Sequence, residues 1–316
     1  MNNLVNDIRE TARQLLAEGK VDVVIGYEKG SLPLKATPCF VHSAEDVDAL
    51  IWDETCENNL ANYAAKTPGK KAIVVKGCDS RALAVLMQEN QLVRDDLYLI
   101  GVTCHGVINQ RKINEEVGEI LEASVSDGKI SVKGMEGDKE YLFAEVKDPT
   151  CQNCRYPNPV VEDVHLGDKI EAPQAAADFA DVTAMEEKSL SERQDYFKEQ
   201  MSKCIRCYAC RNACPLCYCQ ECFVDCNSPR WLTGGVNRSE NLFFQAGRVL
   251  HLAGRCVDCG ACTRACPQGV DIRALNRKMT KDVYVMYNHE AGISEDGKPA
   301  LNEYTTNDPE QFLVKE

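Results

Sequence analysis

The sequence lacks long apolar runs and an excess of positive charge. No run approaches the about 20 apolar residues that cross a bilayer, and residues 1–20 are polar, so we expect neither a membrane span nor a secretory leader. The chain has 36 Lys and Arg against 49 Asp and Glu, which gives a formal net charge of −13. This charge argues against a nucleic-acid or anionic membrane surface as partner. We therefore predict a cytoplasmic protein that docks with other proteins.

The chain is also poor in the usual groups of acid–base and dinucleotide chemistry. It has five His, which are scattered, and Cys104 with His105 is the only suggestive pair. No glycine-rich dinucleotide loop is present. The sequence therefore predicts no catalytic constellation of its own, so that any chemistry would come from a bound group.

Cysteine, in contrast, is abundant, because the chain has 18. In a reducing cytosol, many cysteines indicate metal binding rather than disulfides. Eight of them form one internal repeat, in which Cys204-x-x-Cys207-x-x-Cys210-x-x-x-Cys214-Pro215 recurs as Cys256-x-x-Cys259-x-x-Cys262-x-x-x-Cys266-Pro267. This is the spacing of bacterial ferredoxins, whose fourth Cys binds the other cluster.

The repeat predicts two [4Fe-4S] clusters with crossed ligand sets, and hence an anaerobic or low-oxygen host. Three thiolates two residues apart converge on one cluster, and the fourth leaves along a helix. Cluster one takes Cys204, Cys207, Cys210 and Cys266. Cluster two takes Cys256, Cys259, Cys262 and Cys214. The alternative is a pair of zinc sites, which two complete copies with Pro after each fourth Cys make the weaker interpretation.

The N-terminal part alternates predicted strands and helices. Apolar, β-branched runs predict strands over 21–25, 72–75 and 97–102. Helical spacing predicts a helix over 4–16 and a second helix that is capped by Asp79 or Ser80 and carries Leu83, Val85, Leu86 and Leu92. Ser43 and Asp46 resemble a capping box before a short helix, and 120–146 predicts a hairpin. This order predicts an α/β domain with a small, mostly parallel sheet.

The remaining chain divides by composition. Roughly forty residues separate the two runs, and they include a predicted helix over 241–252. This insert resembles the α-helical ferredoxin domain of succinate dehydrogenase iron–sulfur subunits and of the heterodisulfide reductase small subunit. We predict an α/β cluster-binding domain at 1–154, a Pro- and Ala-rich linker or strap at 155–190, an α-helical ferredoxin domain at 191–286 and a polar tail at 287–316.

A further Cys pair, Cys151-x-x-Cys154, supplies half a metal site in the N-terminal part. Cys78 and Cys104 each follow a predicted strand, and the ends of parallel strands meet at one sheet edge. These four cysteines therefore predict a third site, with zinc as the rival occupant.

The other cysteines are less specific. Cys217, Cys219, Cys222 and Cys226 crowd behind the first run. They predict a further cluster, a special ligand set or plain buried thiols. Cys39 and Cys56 are expected to be ordinary buried cysteines.

Four arginines lie inside or beside the two runs. They are Arg206, Arg211, Arg255 and Arg264. A cluster held by four thiolates is a net anion, so a nearby guanidinium would favour its reduced form. The same residues could instead dock a partner protein.

Three N-terminal motifs resemble one known family. They are Lys76-Gly77-Cys78-Asp79-Ser80-Arg81, Ile100-Gly101-Val102-Thr103-Cys104 and Asp148-Pro149-Thr150-Cys151-Gln152-Asn153-Cys154. Together they resemble the β subunits of coenzyme F420-reducing hydrogenases and formate dehydrogenases, over about residues 20–165. The resemblance implies one [4Fe-4S] cluster on Cys78, Cys104, Cys151 and Cys154. In that family a flavin-binding region follows the Cys pair, whereas here a short Pro- and Ala-rich stretch follows, which argues against bound FAD.

These features predict an iron–sulfur electron-transfer subunit of a soluble multi-subunit redox complex. The resemblance implies partners of the hydrogenase, formate dehydrogenase or heterodisulfide-reductase-like class, including flavin-based electron-bifurcating complexes. Two alternatives remain open: a flavin-dependent oxidoreductase subunit with its own N-terminal catalytic site, and a docking scaffold with a structural zinc.

Overall fold

The computed structural model describes residues 2–126, 128–172 and 179–299, together with 302 and 306. The chain forms two compact units. The α/β unit comprises Met1–Ser80 and Leu92–Ala177. The helical unit comprises Arg81–Gln91 and Asp178–Glu316. The domain boundaries drawn from composition remain a prediction.

Among the described residues of the α/β unit, eight strands form two sheets. The strands are β1 (Val23–Lys29), β2 (Ala36–Val41), β3 (Lys71–Val75), β4 (Leu97–Val102), β5 (Ile120–Ser126), β6 (Lys129–Gly134), β7 (Gly137–Leu142) and β8 (Val164–Leu166). The larger sheet has the order β2-β1-β3-β4-β8. In this sheet β1 pairs with β3, β3 with β4 and β4 with β8, all in parallel. The pair of β1 with β2 is antiparallel. The predicted α/β fold with a mostly parallel sheet is therefore confirmed.

The central strands are buried along their length, because a parallel sheet is covered on both faces. All five residues of β3 are buried, and so are the first five of β1. Tyr27, Ile73 and Leu99 are completely enclosed. The apolar runs that predicted these strands are the core of the α/β unit.

The second sheet corrects the predicted hairpin over 120–146. It has three antiparallel strands, β5, β6 and β7, because the chain turns a second time before Gly137, which has a φ of 139°. Ile130 and Val132 of β6 pack with Ile113 and Val117 in a separate core cluster.

In the part of the α/β unit that the structure describes, six helices lie within the unit or begin in it. They are α1 (Asn2–Ala17), α2 (Ala61–Ala64), α3 (Gly77–Gln88), α4 (Gln110–Val117), α5 (Phe143–Val146) and α6 (Pro149–Gln152). α3 starts in the α/β unit, and its residues from Arg81 onwards belong to the helical unit. Its predicted cap and end were wrong, because Asp79 lies inside its first turn and Asn90 leaves the helical region with a φ of 55°.

The predicted helix after Ser43 is also corrected. Only a three-residue 3₁₀ turn forms, Val47–Ala49, and Asp46 makes no side-chain cap. The Ser43 hydroxyl instead accepts a hydrogen bond from the Glu45 N–H, 3.2 Å away.

The predicted linker and tail contain ordered contacts. Within 155–190, β8 pairs with β4. β8 has three residues, which are too few to give an alternating pattern in the sequence. In the tail, the Ala291 carbonyl accepts from Arg81 at 2.7 Å and the Gly254 carbonyl lies 2.8 Å from His289 Nε2. Residues 173–178 of the linker, and 300–301, 303–305 and 307–316 of the tail, lie outside the described residues.

Six further helices are found in the described residues of the helical unit. They are α7 (Ala180–Glu186), α8 (Leu190–Lys203), α9 (Ala209–Asn212), α10 (Arg238–His251), α11 (Ala261–Arg264) and α12 (Arg273–Tyr287). The helix predicted over 241–252 is α10, which begins at Arg238. Met201, Phe244, Val270 and Ile272 form the apolar core of this unit. Among the helices in the described residues, none combines the length and apolarity that a bilayer crossing requires.

Candidate metal centres

Both ferredoxin runs have the same left-handed backbone at matching positions. The residues before and after the second Cys have positive φ in each run, at Arg206 (55°) and Tyr208 (61°) and at Asp258 (53°) and Gly260 (71°). For a residue other than Gly this conformation costs about 1–2 kcal/mol. Backbone strain of this kind clusters at functional sites. Its repetition identifies both loops as candidate ligand loops.

The chain after each loop also repeats. α9 follows the first loop and α11 the second, and each is a single turn of four residues. The Cys214 N–H donates to Arg211 and the Cys266 N–H donates to Thr263, both at 3.2 Å. The fourth Cys of each run therefore leaves its loop along an equivalent helical turn.

Cys214 and the second run meet around one cavity of the helical unit. Cys256, Cys259, Cys262 and Cys214 all line it. Burial raises the pKa of the Cys259 thiol to about 12 and also raises that of Cys256. The structure therefore brings together the set predicted for cluster two. Because these thiols are buried, their deprotonated form needs a nearby positive charge, such as a bound metal.

Three cysteines of the set predicted for cluster one belong to the core of the helical unit. Cys210 and Cys266 are buried there, and Cys204 packs against them. The Val270 N–H donates to Cys266 Sγ at 3.4 Å. Cys207 is exposed, so this set reaches the surface of the unit.

Two amide side chains donate to predicted ligand sulfurs. Gln245 Nε2 lies 3.9 Å from Cys210 Sγ, and Asn276 Nδ2 lies 3.7 Å from Cys262 Sγ. The carbonyl oxygens of both amides are buried and have no partner among the described residues. Each ligand set thus has one buried amide donor, and such donors tune a cluster's potential.

Arg248 of α10 is the functional residue that sequence reasoning missed. It is 3% exposed and lines the cavity of the cluster-two set. Its Nη2 donates to the Cys210 carbonyl at 3.2 Å, whereas Nε and Nη1 have no partner in the described part of the chain. Burial acts to lower the pKa of Arg248, but Cys262, Cys214 and the neighbouring thiols outweigh burial and hold that pKa well above its ordinary value.

The guanidinium of Arg248 provides a test of whether an iron–sulfur cluster fits. A buried charge without a counterion costs several kcal/mol. No carboxylate of the described residues pairs with Arg248. Asp258 also lines the cavity but pairs with Arg273, so the charge of Arg248 is left beside the four cysteines. An iron–sulfur cluster held by four thiolates is an anion. The residues present therefore fit this group.

The four arginines singled out in the sequence have partners inside the helical unit. Arg206 pairs with Glu240 at 2.9 Å and Arg211 with Asp225 at 2.7 Å. Arg255 donates two hydrogen bonds to Glu89, one of them at 2.7 Å. Arg264 Nη2 donates to the Cys259 carbonyl at 2.9 Å.

A single metal ion is less well matched. In the described part of the chain, no group of three or more His, Cys, Asp and Glu is placed to hold a metal ion. Zinc needs four ligands at about 2.0–2.3 Å, whereas the ligands of a four-iron cluster surround a much larger group.

The predicted N-terminal set lies at one edge of the parallel sheet. Cys78 follows β3, Cys104 follows β4, and Cys151 and Cys154 lie on and after α6. Burial and, to a smaller extent, the nearby Cys151 and Cys154 raise the pKa of Cys104 to about 12. The structure therefore brings Cys104 near the Cys pair, at the edge where Cys78 lies.

The buried side chain of Lys76, which follows β3, forms three hydrogen bonds inside the α/β unit. Its ammonium donates to Asp79 Oδ2 at 2.9 Å, to the Asn58 carbonyl at 2.7 Å and to the Tyr27 hydroxyl. Burial acts to lower the pKa of Lys76, but Asp79, Tyr27, Cys78 and Cys104 together hold it well above the ordinary value. A fixed positive charge therefore faces two of the predicted N-terminal ligands.

The extra cysteines do not share one environment. Cys217 lies against Cys214 and Arg248, whereas Cys219 is exposed. Cys226 Sγ is 3.6 Å from the Cys222 carbonyl. A ligand role for Cys217, Cys219 and Cys222 remains a prediction. Cys39 and Cys56 are buried, and burial raises the pKa of Cys39 to about 11.

Comparison with known proteins gives relatives that match nearly the whole chain. No protein-family profile matches. The F420-dependent formate dehydrogenase subunit beta of Methanocaldococcus jannaschii is 22% identical, over 92% of both chains. The F420-dependent formate dehydrogenase 1 subunit beta of Methanococcus maripaludis is 24% identical, over 92% of this chain and 91% of the relative.

A solved structure of the F420-reducing [NiFe] hydrogenase complex from Methanosarcina barkeri is also similar. It is 14% identical, covers 65% of this chain and 90% of the matched chain, and has a TM-score of 0.38. The two formate dehydrogenase relatives extend the similarity well beyond residues 20–165. The chain thus resembles the β-subunit family of coenzyme F420-dependent hydrogenases and formate dehydrogenases, as its motifs predicted.

Proposed function

We propose that the chain is an iron–sulfur electron-transfer subunit of a multi-subunit redox complex. The observation that carries this proposal is the cavity lined by Cys214, Cys256, Cys259 and Cys262, the crossed set of a ferredoxin repeat. The relatives, whose names describe them as β subunits of formate dehydrogenases, support a place in such a complex.

The proposed ligands form three sets. Cys204, Cys207, Cys210 and Cys266 hold cluster one, and Cys256, Cys259, Cys262 and Cys214 hold cluster two. Cys78, Cys104, Cys151 and Cys154 hold a third cluster. A bound [4Fe-4S] cluster supplies one-electron redox chemistry. The chain's own residues supply the thiolates, enclose them in apolar surroundings and set the charge around them.

The two ligand sets of the helical unit have different surroundings in this proposal. Cys207 is exposed, which gives a redox partner access to the cluster-one set. The cluster-two set lines a cavity whose wall also includes the apolar Leu216, Leu252 and Val257. A partner of the hydrogenase, formate dehydrogenase or heterodisulfide-reductase-like class, with or without electron bifurcation, fits a chain of net charge −13 through a basic docking surface.

Iron analysis of the full chain tests the proposal. The chain is purified or reconstituted without oxygen, and iron, sulfide and zinc are measured together with the EPR spectrum of the reduced protein. We expect about eight irons for the two clusters of the helical unit, and about twelve with the third cluster. Fewer than about eight irons in the fully reconstituted chain would contradict the proposal.

A variant and a matched control assign the iron to the predicted ligands. Cys259→Ser removes a ligand of cluster two, so the iron content is expected to fall by about four per chain. Cys39→Ala removes a buried cysteine of β2 that belongs to no proposed set, and its iron content is expected to equal that of the wild type. Equal iron in Cys259→Ser and Cys39→Ala would remove the basis of the assignment.

A further inference from the structure

Arg248 lies between the two ligand sets of the helical unit. Its Nη2 donates to the carbonyl of Cys210, which belongs to the first set, at 3.2 Å. Its side chain also lines the cavity of Cys214, Cys259 and Cys262, which belong to the second. One buried side chain therefore contacts residues of both sets.

The charge of Arg248 also differs from that of four neighbouring arginines, Arg206, Arg255, Arg273 and Arg277, which have carboxylate partners. Arg206 pairs with Glu240, and Arg255 pairs with Glu89. Arg273 and Arg277 share Asp258 and Asp181. In the described part of the chain, no such partner neutralises Arg248, and its Nε and Nη1 are buried without a hydrogen bond. Its positive charge is therefore left for groups in the cavity.

We propose that Arg248 is a shared positive charge that raises the reduction potentials of both clusters of the helical unit. This inference rests on the proposed function. Adding an electron to an anionic cluster is easier near a buried cation, because the low dielectric strengthens their attraction. Since Arg248 faces both sets, removal of its charge lowers both potentials, whereas an arginine already paired with a carboxylate contributes little.

Redox titration of the full chain, followed by EPR, tests the inference. Arg248→Gln removes the charge and keeps a hydrogen-bonding amide, whereas Arg248→Lys keeps the charge. Arg255→Gln is the matched control, because Arg255 is also partly buried beside the ferredoxin runs but is neutralised by Glu89. Iron content is measured for every variant, so that cluster loading and cluster potential are read separately.

We expect Arg248→Gln to lower both midpoint potentials. The equilibrium constant for one-electron reduction should fall at least about tenfold at each cluster, which corresponds to about 59 mV. Arg248→Lys and Arg255→Gln are expected to stay much closer to the wild type. If Arg248→Gln loses its clusters while Arg248→Lys keeps them, the charge acts in cluster assembly rather than on the potentials, and the inference is overturned.

Other outcomes overturn the inference. They are unchanged potentials in a fully loaded Arg248→Gln chain, a shift at one cluster only, an equal shift in Arg255→Gln, and equal losses of clusters from Arg248→Gln and Arg248→Lys. These outcomes leave the proposed function intact, because the wild-type chain still carries its clusters. A wild-type chain without clusters would instead contradict the proposed function.

Discussion

The α/β unit and the helical unit obtain their cores in different ways. The α/β unit has apolar strands that are buried along all or most of their length, and residues such as Ile73 and Leu99 fill its interior. The core cluster of the helical unit includes Cys210 and Cys266 beside Phe244 and Val270. Its interior also contains Arg248 and Gln245, which a self-sufficient apolar core would exclude.

We infer from this comparison that the core of the helical unit depends on its proposed clusters more than the core of the α/β unit does, because the third proposed set follows β3 and β4 at one edge of the sheet. The ferredoxin loops hold left-handed residues at a cost of about 1–2 kcal/mol each, and their helices α9 and α11 are single turns. A metal site of this kind does not exist in the unfolded chain, so the free energy of metal binding contributes directly to the free energy of folding. We therefore infer that the clusters replace part of the hydrophobic core in the helical unit, whereas the sheet of the α/β unit folds on apolar burial.

The largest expected effect follows removal of iron from the full chain. In hydrogen–deuterium exchange, amides around the ferredoxin loops and in α10 should lose most of their protection. Amides of β1, β3 and β4 should keep theirs, because their burial involves no metal.

Anaerobic reconstitution with iron and sulfide is the control for this experiment, and it should restore protection in the helical unit. Equal loss of protection in both units, or full protection of the helical unit without iron, would contradict the inferred difference between the two units.

The second effect concerns the crossed ligands. Cys214→Ser should remove the EPR signal that Cys259→Ser removes and leave the other signal of the helical unit, because both residues line one cavity. Loss of the other signal from Cys214→Ser would mean that each run holds its own cluster.

A smaller effect is expected at the position where the two runs differ in charge. Asp258, which matches Arg206 of the first run, accepts from Arg273 Nε at 2.7 Å and from Arg277 Nη1 at 2.7 Å. Asp258→Asn breaks a largely buried network and should lower the free energy of unfolding of the helical unit by about 3 kcal/mol.

Thermal unfolding of the loaded chain measures this change. Asp195→Asn is the control, since its pair with Lys198 is 69% and 44% exposed, and it should change stability by less than about 0.5 kcal/mol. Similar values for the two variants would show that the Asp258 network does not stabilise the unit.

The smallest effect is expected in the second sheet. Glu122 and Lys133 pair across β5 and β6 with side chains 70% and 61% exposed. Glu122→Gln should change the free energy of unfolding by less than about 0.5 kcal/mol, and high salt should remove the difference, since an exposed pair is screened. A larger, salt-independent loss would indicate that this sheet depends on surface charge.

The sequence predicted those elements whose signal lies within a few residues. The strand predicted over 97–102 has the same bounds as β4, and the strand predicted over 72–75 starts one residue after β3 does. Both predictions succeed because apolar runs bounded by turns define buried strands. The ferredoxin repeat likewise predicted which cysteines share the cavity. β8 could not be predicted, since three residues gain their strand conformation only from pairing with β4.

Arg248 was missed because a lone arginine in an amphipathic helix normally lies on its polar face. A signal was present, since Asn241, Phe244, Gln245 and Arg248 have the spacing of one helical face, and all four are buried. Polar residues on the face that carries Phe244 indicate a buried polar site. The type of partner they need depends on contacts with distant cysteines, which no local pattern encodes.

The most direct test of the central claim is native mass spectrometry of the full chain, kept without oxygen. It counts whole clusters and distinguishes them from zinc. The account predicts at least two [4Fe-4S] clusters per chain in the wild type, and one cluster fewer in Cys259→Ser. A wild-type chain that carries fewer than two clusters after full reconstitution, with or without zinc in their place, would contradict it.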